Sequence, residues 1–244
     1  MLSKESSTAI ADTGKVPIMK VRVESHRVRV WDLPTRVFHW ALAALVLVLF
    51  LTAKLGGDAM VWHARAGLAA GAMLSFRVLW GFAGGRWSRF ASFSCSPRRL
   101  AAFVSGKDGA NVPVGHSPLA ALSVYAMLAA LLAQVGTGLF SENKDEFAGP
   151  LNSFVSSRTA HALTIYHHEV GQPLLVVLVT LHLAAIAWYL MGRRRNLTAA
   201  MWHGDKWPVD DAPGSRDDMR TRLLALGLFA CCAALAAWVS QLGG

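Results

Sequence analysis

Residues 168–182 read HEVGQPLLVVLVTLH, an apolar run closed at each end by a histidine, His168 and His182. Ionisable side chains inside apolar spans turn to the interior of a helix bundle, because facing lipid is costly for them. The spacing of 14 residues returns the two rings to within about 40° of one helix face, at 100° per residue, and sets them roughly 21 Å apart along the axis. One helix thus offers imidazoles at two depths.

Outward from this run the chain is made of similar material. Its 244 residues are 54% hydrophobic and its mean hydropathy is +0.38, too apolar for an ordinary soluble domain. A spanning helix needs about 20 mainly apolar residues, and five stretches approach that length: 38–55, 61–83, 118–140, 169–191 and 223–241. Asp32 is placed to cap the first of them, with Pro34 in the first turn where its missing N–H costs nothing. The loop from residue 84 to 117 carries Pro97, Gly106, Gly109 and Pro113, and has room for a short surface helix over 98–104. The segment 196–220 is polar, with Trp202 and Trp207 suited to an interface and Asp210, Asp211, Asp217 and Asp218 to water.

A net charge of +9 would suggest nucleic acid in a soluble protein, but here the basic residues are sorted by loop. Seven Lys/Arg precede the first span (Lys4, Lys15, Lys20, Arg22, Arg27, Arg29, Arg36), five lie between the second and third, and six in the segment 192–221 after the fourth. The other two connections carry only Lys54, and Lys144 and Arg158 among Glu142, Asp145 and Glu146. The positive-inside rule predicts a cytoplasmic N-terminus and a periplasmic C-terminus in a bacterial inner membrane, and no nucleic-acid partner. The charged segment 1–30 reads as a cytoplasmic tail, not a cleaved signal. Cys95 and the neighbours Cys231 and Cys232 form no disulfide framework, and the absence of Cys-x-x-Cys-His excludes covalent c-type haem.

Depth then sorts the histidines. His39 is near the cytoplasmic end of the first span and level with His182, while His63 is near the outer end of the second and level with His168. Two bis-histidine sites follow, a ligand set suited to b-type haem iron between facing helices. Zinc would want four clustered donors, which the spans lack. His26, His116, His161, His167 and His203 are expected to be non-ligands. His167 is the nearest competitor, but in a regular helix it is rotated about 100° from the His182 face. Gly67 and Gly71 follow His63 on nearly one face, and Gly136 and Gly138 lie near the outer end of the third span. Either they clear room for a macrocycle or they let helices pack closely. Arg77 shares a similar face of the second span with His63 but lies at the cytoplasmic depth, where it is placed to meet a haem propionate. Arg36 and Arg65 serve that role or contact lipid headgroups.

Four stretches, RVWDLPTRVFHW at 29–40, WHARAG at 62–67, FRVLWG at 76–81 and His168-Glu169 with His182 beyond, resemble the bacterial b561-type cytochromes. That family includes the cytochrome b subunits of membrane-bound nickel–iron hydrogenases. The resemblance covers roughly residues 28–203. It implies two non-covalent haem b groups, with ligands at positions matching His39, His63, His168 and His182. It also implies electron exchange with quinone or quinol and with a hydrogenase-like subunit or a c-type cytochrome.

The expected fold is all-α: a di-haem four-helix transmembrane bundle over residues 31–203, between a tail (1–30) and a polar linker (204–221), with an extra C-terminal span over 222–244 that departs from the family's four. The expected function is an electron relay across the membrane, whose quinone site and oligomeric state the sequence leaves open. A stand-alone oxidoreductase, such as a superoxide:quinone oxidoreductase, is the alternative, although few basic residues mark the outer loops to steer superoxide. A proton-handling transporter or structural subunit is the remote one, and it predicts a colourless protein.

Overall fold

Asp32 starts the bundle. The computed structural model describes residues 26–93, 96–105, 114–143, 147–209 and 212–243. The tail before residue 26, Cys95, Gly106, Gly109, Pro113, the charged residues 144–146, Asp210, Asp211 and the side chain of Trp207 lie outside the described residues. Asp32 accepts a hydrogen bond from the Thr35 N–H (2.9 Å) and opens helix α1, Leu33–Leu55, with Pro34 in its first turn. It does more than cap. Fully buried, it also accepts from Trp80 Nε1 (3.2 Å), the Gly85 N–H (3.1 Å) and Ser88 Oγ (2.7 Å). A single carboxylate thereby ties the start of α1 to the end of the second helix.

The turn out of α1 uses Gly56 and Gly57 at φ +62° and +52°, a region that strains side chains. The chain reverses at once into α2, Ala59–Ala83. α2 is the most buried of the spans, with Ala70, Leu74, Phe76 and Trp80 in the core. A short helix, α3 (Pro97–Val104), stands where a surface helix was expected. Ser117 caps α4, Pro118–Phe140, and a small hairpin of β2 (Glu142–Asn143) and β3 (Phe147–Ala148) leads to α5. Helix α5 runs from Ser157 to Met191. It begins well before the apolar span expected from position 169, because Ser156 caps it from the Thr159 N–H at 3.2 Å. After α6 (Leu197–His203), helix α7 spans Met219–Ser240.

Among the described residues, five helices are long and apolar enough to cross a membrane. α2 packs against α1, α4 and α7, and α4 against α5. The extra C-terminal span therefore belongs to the bundle. Phe229 meets Phe76 edge-on (6.1 Å), and Ala225 and Cys232 are buried. Ala69 and Ala72 on α2 and Ala233, Ala236 and Ala237 on α7 line a cavity of about 250 Å³ between the two helices. Large apolar side chains such as Leu47, Leu51, Val177, Leu181, Trp188 and Leu226 stay exposed, as lipid-facing positions do.

The tail and the linker meet, which their polar composition does not announce. β1 (His26–Arg29) pairs antiparallel with β4 (Asp205–Val209). Arg29 binds Asp205 and Asp217 (2.8 Å to the latter), and Arg222 binds Asp217 at 3.0 Å. Ser215 donates to the Val30 carbonyl at 2.9 Å. This cap defines a strand end of the bundle; the α1–α2 turn and the β2–β3 hairpin lie at the opposite, loop end.

Candidate haem sites

At the strand-end depth, His39 on α1 faces His182 on α5, with ring centroids 6.4 Å apart and planes at 53°. Trp40 stands edge-on to His39 at 5.1 Å and in turn meets Trp202. His39 Nδ1 is buried and has no hydrogen-bond partner among the described residues.

At the loop-end depth, the ring that faces His63 is His167, with centroids 6.3 Å apart and planes at 80°. Both rings are anchored through Nδ1 to a main-chain carbonyl: His63 to Leu49 (3.1 Å), His167 to Gln134 (3.0 Å). Thr52 Oγ1 and Thr137 Oγ1 lie 3.2 and 3.3 Å from the same nitrogens. His168 is exposed; its ring neighbours that of His167 at 5.5 Å and makes no ring contact with His63 among the described residues. The expected juxtaposition of His168 with His63 is therefore not the one the structure forms.

The physical reason is a π-turn over Tyr166–Gly171. Such a turn winds one extra residue into an α-helix, so the longer stretch from His167 to His182 covers the rotation that the stretch from His168 would cover in a regular helix. The sequence carried a signal. Pro173 has no N–H for the Glu169 carbonyl and its ring crowds that group, which favours irregular winding just before it.

The remaining expected residues are divided by the structure. A Cβ on Gly67 or Gly136 would meet nothing within 4 Å, so both border open space. A Cβ on Gly71 would stand 3.2 Å from Val135 Cγ1, so Gly71 serves close helix packing, and Gly138 makes room for the His167 ring, whose Cε1 would lie 3.0 Å from a Cβ there. Arg77 is buried, its guanidinium 5.0 Å over the Phe90 ring and its Nη1 without a hydrogen-bond partner among the described residues. Arg36 donates to the Trp202 carbonyl at 2.8 Å, and Arg65 lies over Trp62. His161 and His203 are exposed. His116 is half-buried, its Nδ1 sealed from solvent, between the rings of Trp31 (4.7 Å) and Phe93 (4.3 Å). Burial, then the charges of Arg77 and Lys206, push its pKa down to about 3.

Whether these pairs suit a metal can be tested by distance. An imidazole nitrogen binds a first-row metal such as zinc at about 2.0–2.1 Å, and the centre of a ring with bonds of about 1.35 Å lies roughly 1.1 Å behind it. Two imidazoles on opposite sides of one ion thus have centroids about 6.3 Å apart. Both pairs have that separation. No group of three or more His, Cys, Asp or Glu donors occurs among the described residues, so each pair suits an ion whose other positions are filled by a macrocycle. The unpartnered Arg77 Nη1 suits a carboxylate.

Apolar helices of spanning length with facing imidazoles between them are the construction of a multi-pass membrane cytochrome. The chain belongs to the prokaryotic cytochrome b561 family, whose model matches residues 30–204. That range holds every histidine of both pairs and ends before α7. A probable Ni/Fe-hydrogenase B-type cytochrome subunit from Bradyrhizobium diazoefficiens is 26% identical over 213 residues, covering 73% of this chain and 85% of the relative. No solved structure matches the chain. The protein is thus a membrane b-type cytochrome of electron transfer.

Proposed function

We propose that the protein holds two b-type haems, one between His39 and His182 and one between His63 and the His167–His168 doublet, and relays electrons across a bacterial inner membrane. The observation that carries this reading is the equality of the two facing pairs, 6.4 and 6.3 Å, in one bundle. The haems supply one-electron redox chemistry when bound. The chain's own groups position. Four imidazoles hold iron, and carbonyl bonds to Nδ1 at the loop-end pair fix each ring's tautomer and leave Nε2 for the metal. Arg77 offers a buried cation to a propionate of the strand-end haem, and Gly67 leaves room beside the loop-end one.

The basic strand end is the cytoplasmic end, which leaves the C-terminus in the periplasm. Electrons pass between the quinone pool and a redox partner, and the hydrogenase cytochrome relative favours a hydrogenase-like subunit over a soluble c-type cytochrome. Pyridine haemochrome assay of the purified protein tests the reading. Two haems b per chain are expected, with one lost in His39→Ala or His182→Ala; a wild type without haem overturns it.

A further inference from the structure

We infer that the α5 ligand of the loop-end haem is His167, delivered by the π-turn, and that Gln134 is the residue that positions it. The inference rests on the two-haem reading above and deepens it.

Three independent features converge on His167. First, its ring stands from His63 at 6.3 Å, the same separation as the strand-end pair, which no irregularity affects. Second, His63 and His167 are held in the same manner, each by Nδ1 on a carbonyl of a different helix from its own, with a threonine hydroxyl beside it. A metal-bound histidine is held in that way by its other nitrogen. Third, α4 is shaped around the His167 ring and the π-turn around a residue of α4. Gly138 leaves space for the ring, and Gly171 leaves space for Gln134, whose Oε1 a Cβ at 171 would strike.

Gln134 works from both ends. Its main-chain carbonyl accepts from His167 Nδ1 (3.0 Å), and its Nε2 donates to the His167 carbonyl (2.9 Å). That carbonyl lies inside the π-turn, where it also receives the Gln172 N–H. Its side chain thus braces the irregular turn while its backbone aims the ring. His168 is exposed and makes no such side-chain hydrogen bond among the described residues.

The test is haem stoichiometry together with low-temperature EPR of the oxidised full-length protein in detergent. Because His168 is exposed, His168→Ala carries little folding risk, and it is expected to keep the wild-type haem content and both low-spin signals. His167→Ala is expected to lose about half of the haem or convert one low-spin signal to high-spin, and added imidazole is expected to restore it. Gln134→Leu is expected to keep two haems but shift the g-values and midpoint of the one that His167→Ala affects. Loss of half the haem in His168→Ala, or no change in His167→Ala, overturns the assignment; an unmoved signal in Gln134→Leu overturns its positioning role. His39→Ala in the same series reports the other site, so failure of the two-haem reading is recognised separately.

Discussion

The two ends of the bundle solve one problem by different means. At the strand end, His39 and His182 lie on regular helical winding and face each other at 6.4 Å with His39 Nδ1 unbonded. Rigidity there comes from beneath, from the four bonds to Asp32 and the β1–β4 cap. At the loop end, the rings themselves are bonded to neighbouring helices, and one sits on a π-turn. A pair set by helical period alone is readable in a sequence; a pair set by an irregular turn and cross-helix carbonyls depends on packing.

The sharpest way to break this comparison is to remove one ring. His39→Ala should abolish one of two haem signals and leave the other's midpoint unchanged, by redox titration of the α-band. Asp32→Ala should come next. It orphans the buried Trp80 Nε1, Gly85 N–H and Thr35 N–H, while Ser88 Oγ keeps its bond to Thr35 Oγ1, and each buried donor left unsatisfied costs about 1–3 kcal/mol. Thermal denaturation in detergent should show it, and the strand-end haem should be lost on heating before the other. Gly171→Leu should do the reverse: overpacking against Gln134 costs about 1–3 kcal/mol and should release the loop-end haem alone, seen as stoichiometry falling toward one. Thr52→Val removes a hydroxyl beside His63 Nδ1, worth about 0.5–1.5 kcal/mol, and should shift the loop-end midpoint while both haems remain.

A pH effect belongs to the strand end. His116 in the fold has its pKa depressed to about 3, whereas in an unfolded chain a histidine titrates near 6.5. Between those values the unfolded state binds the extra proton, so stability is intact above about 6.5 and declines as pH falls below it. Melting temperatures measured from pH 7 to pH 4 should fall in the wild type and fall less in His116→Phe, which keeps the packing between Trp31 and Phe93. Equal slopes would assign the acid sensitivity elsewhere.

Much of this was legible in the residues. The five spans follow from apolar length, which the bilayer imposes whatever the packing. The Asp32 cap and the facing of His39 and His182 follow from local chemistry and helical period. His116 could not be placed, because its burial depends on Trp31 and Phe93, distant in sequence. The strand pairing of tail and linker joins segments from opposite ends of the chain, and polar composition alone does not distinguish a paired strand from a solvated linker.

By itself, the sequence determined a membrane bundle with histidines at two depths, because solvent and periodicity act on each helix separately. Which histidine of the 167–168 doublet turns inward was decided only by tertiary structure. A one-residue difference in winding is a small energy, set by Pro173, by the space at Gly138 and Gly171, and by the bonds that Gln134 makes from another helix.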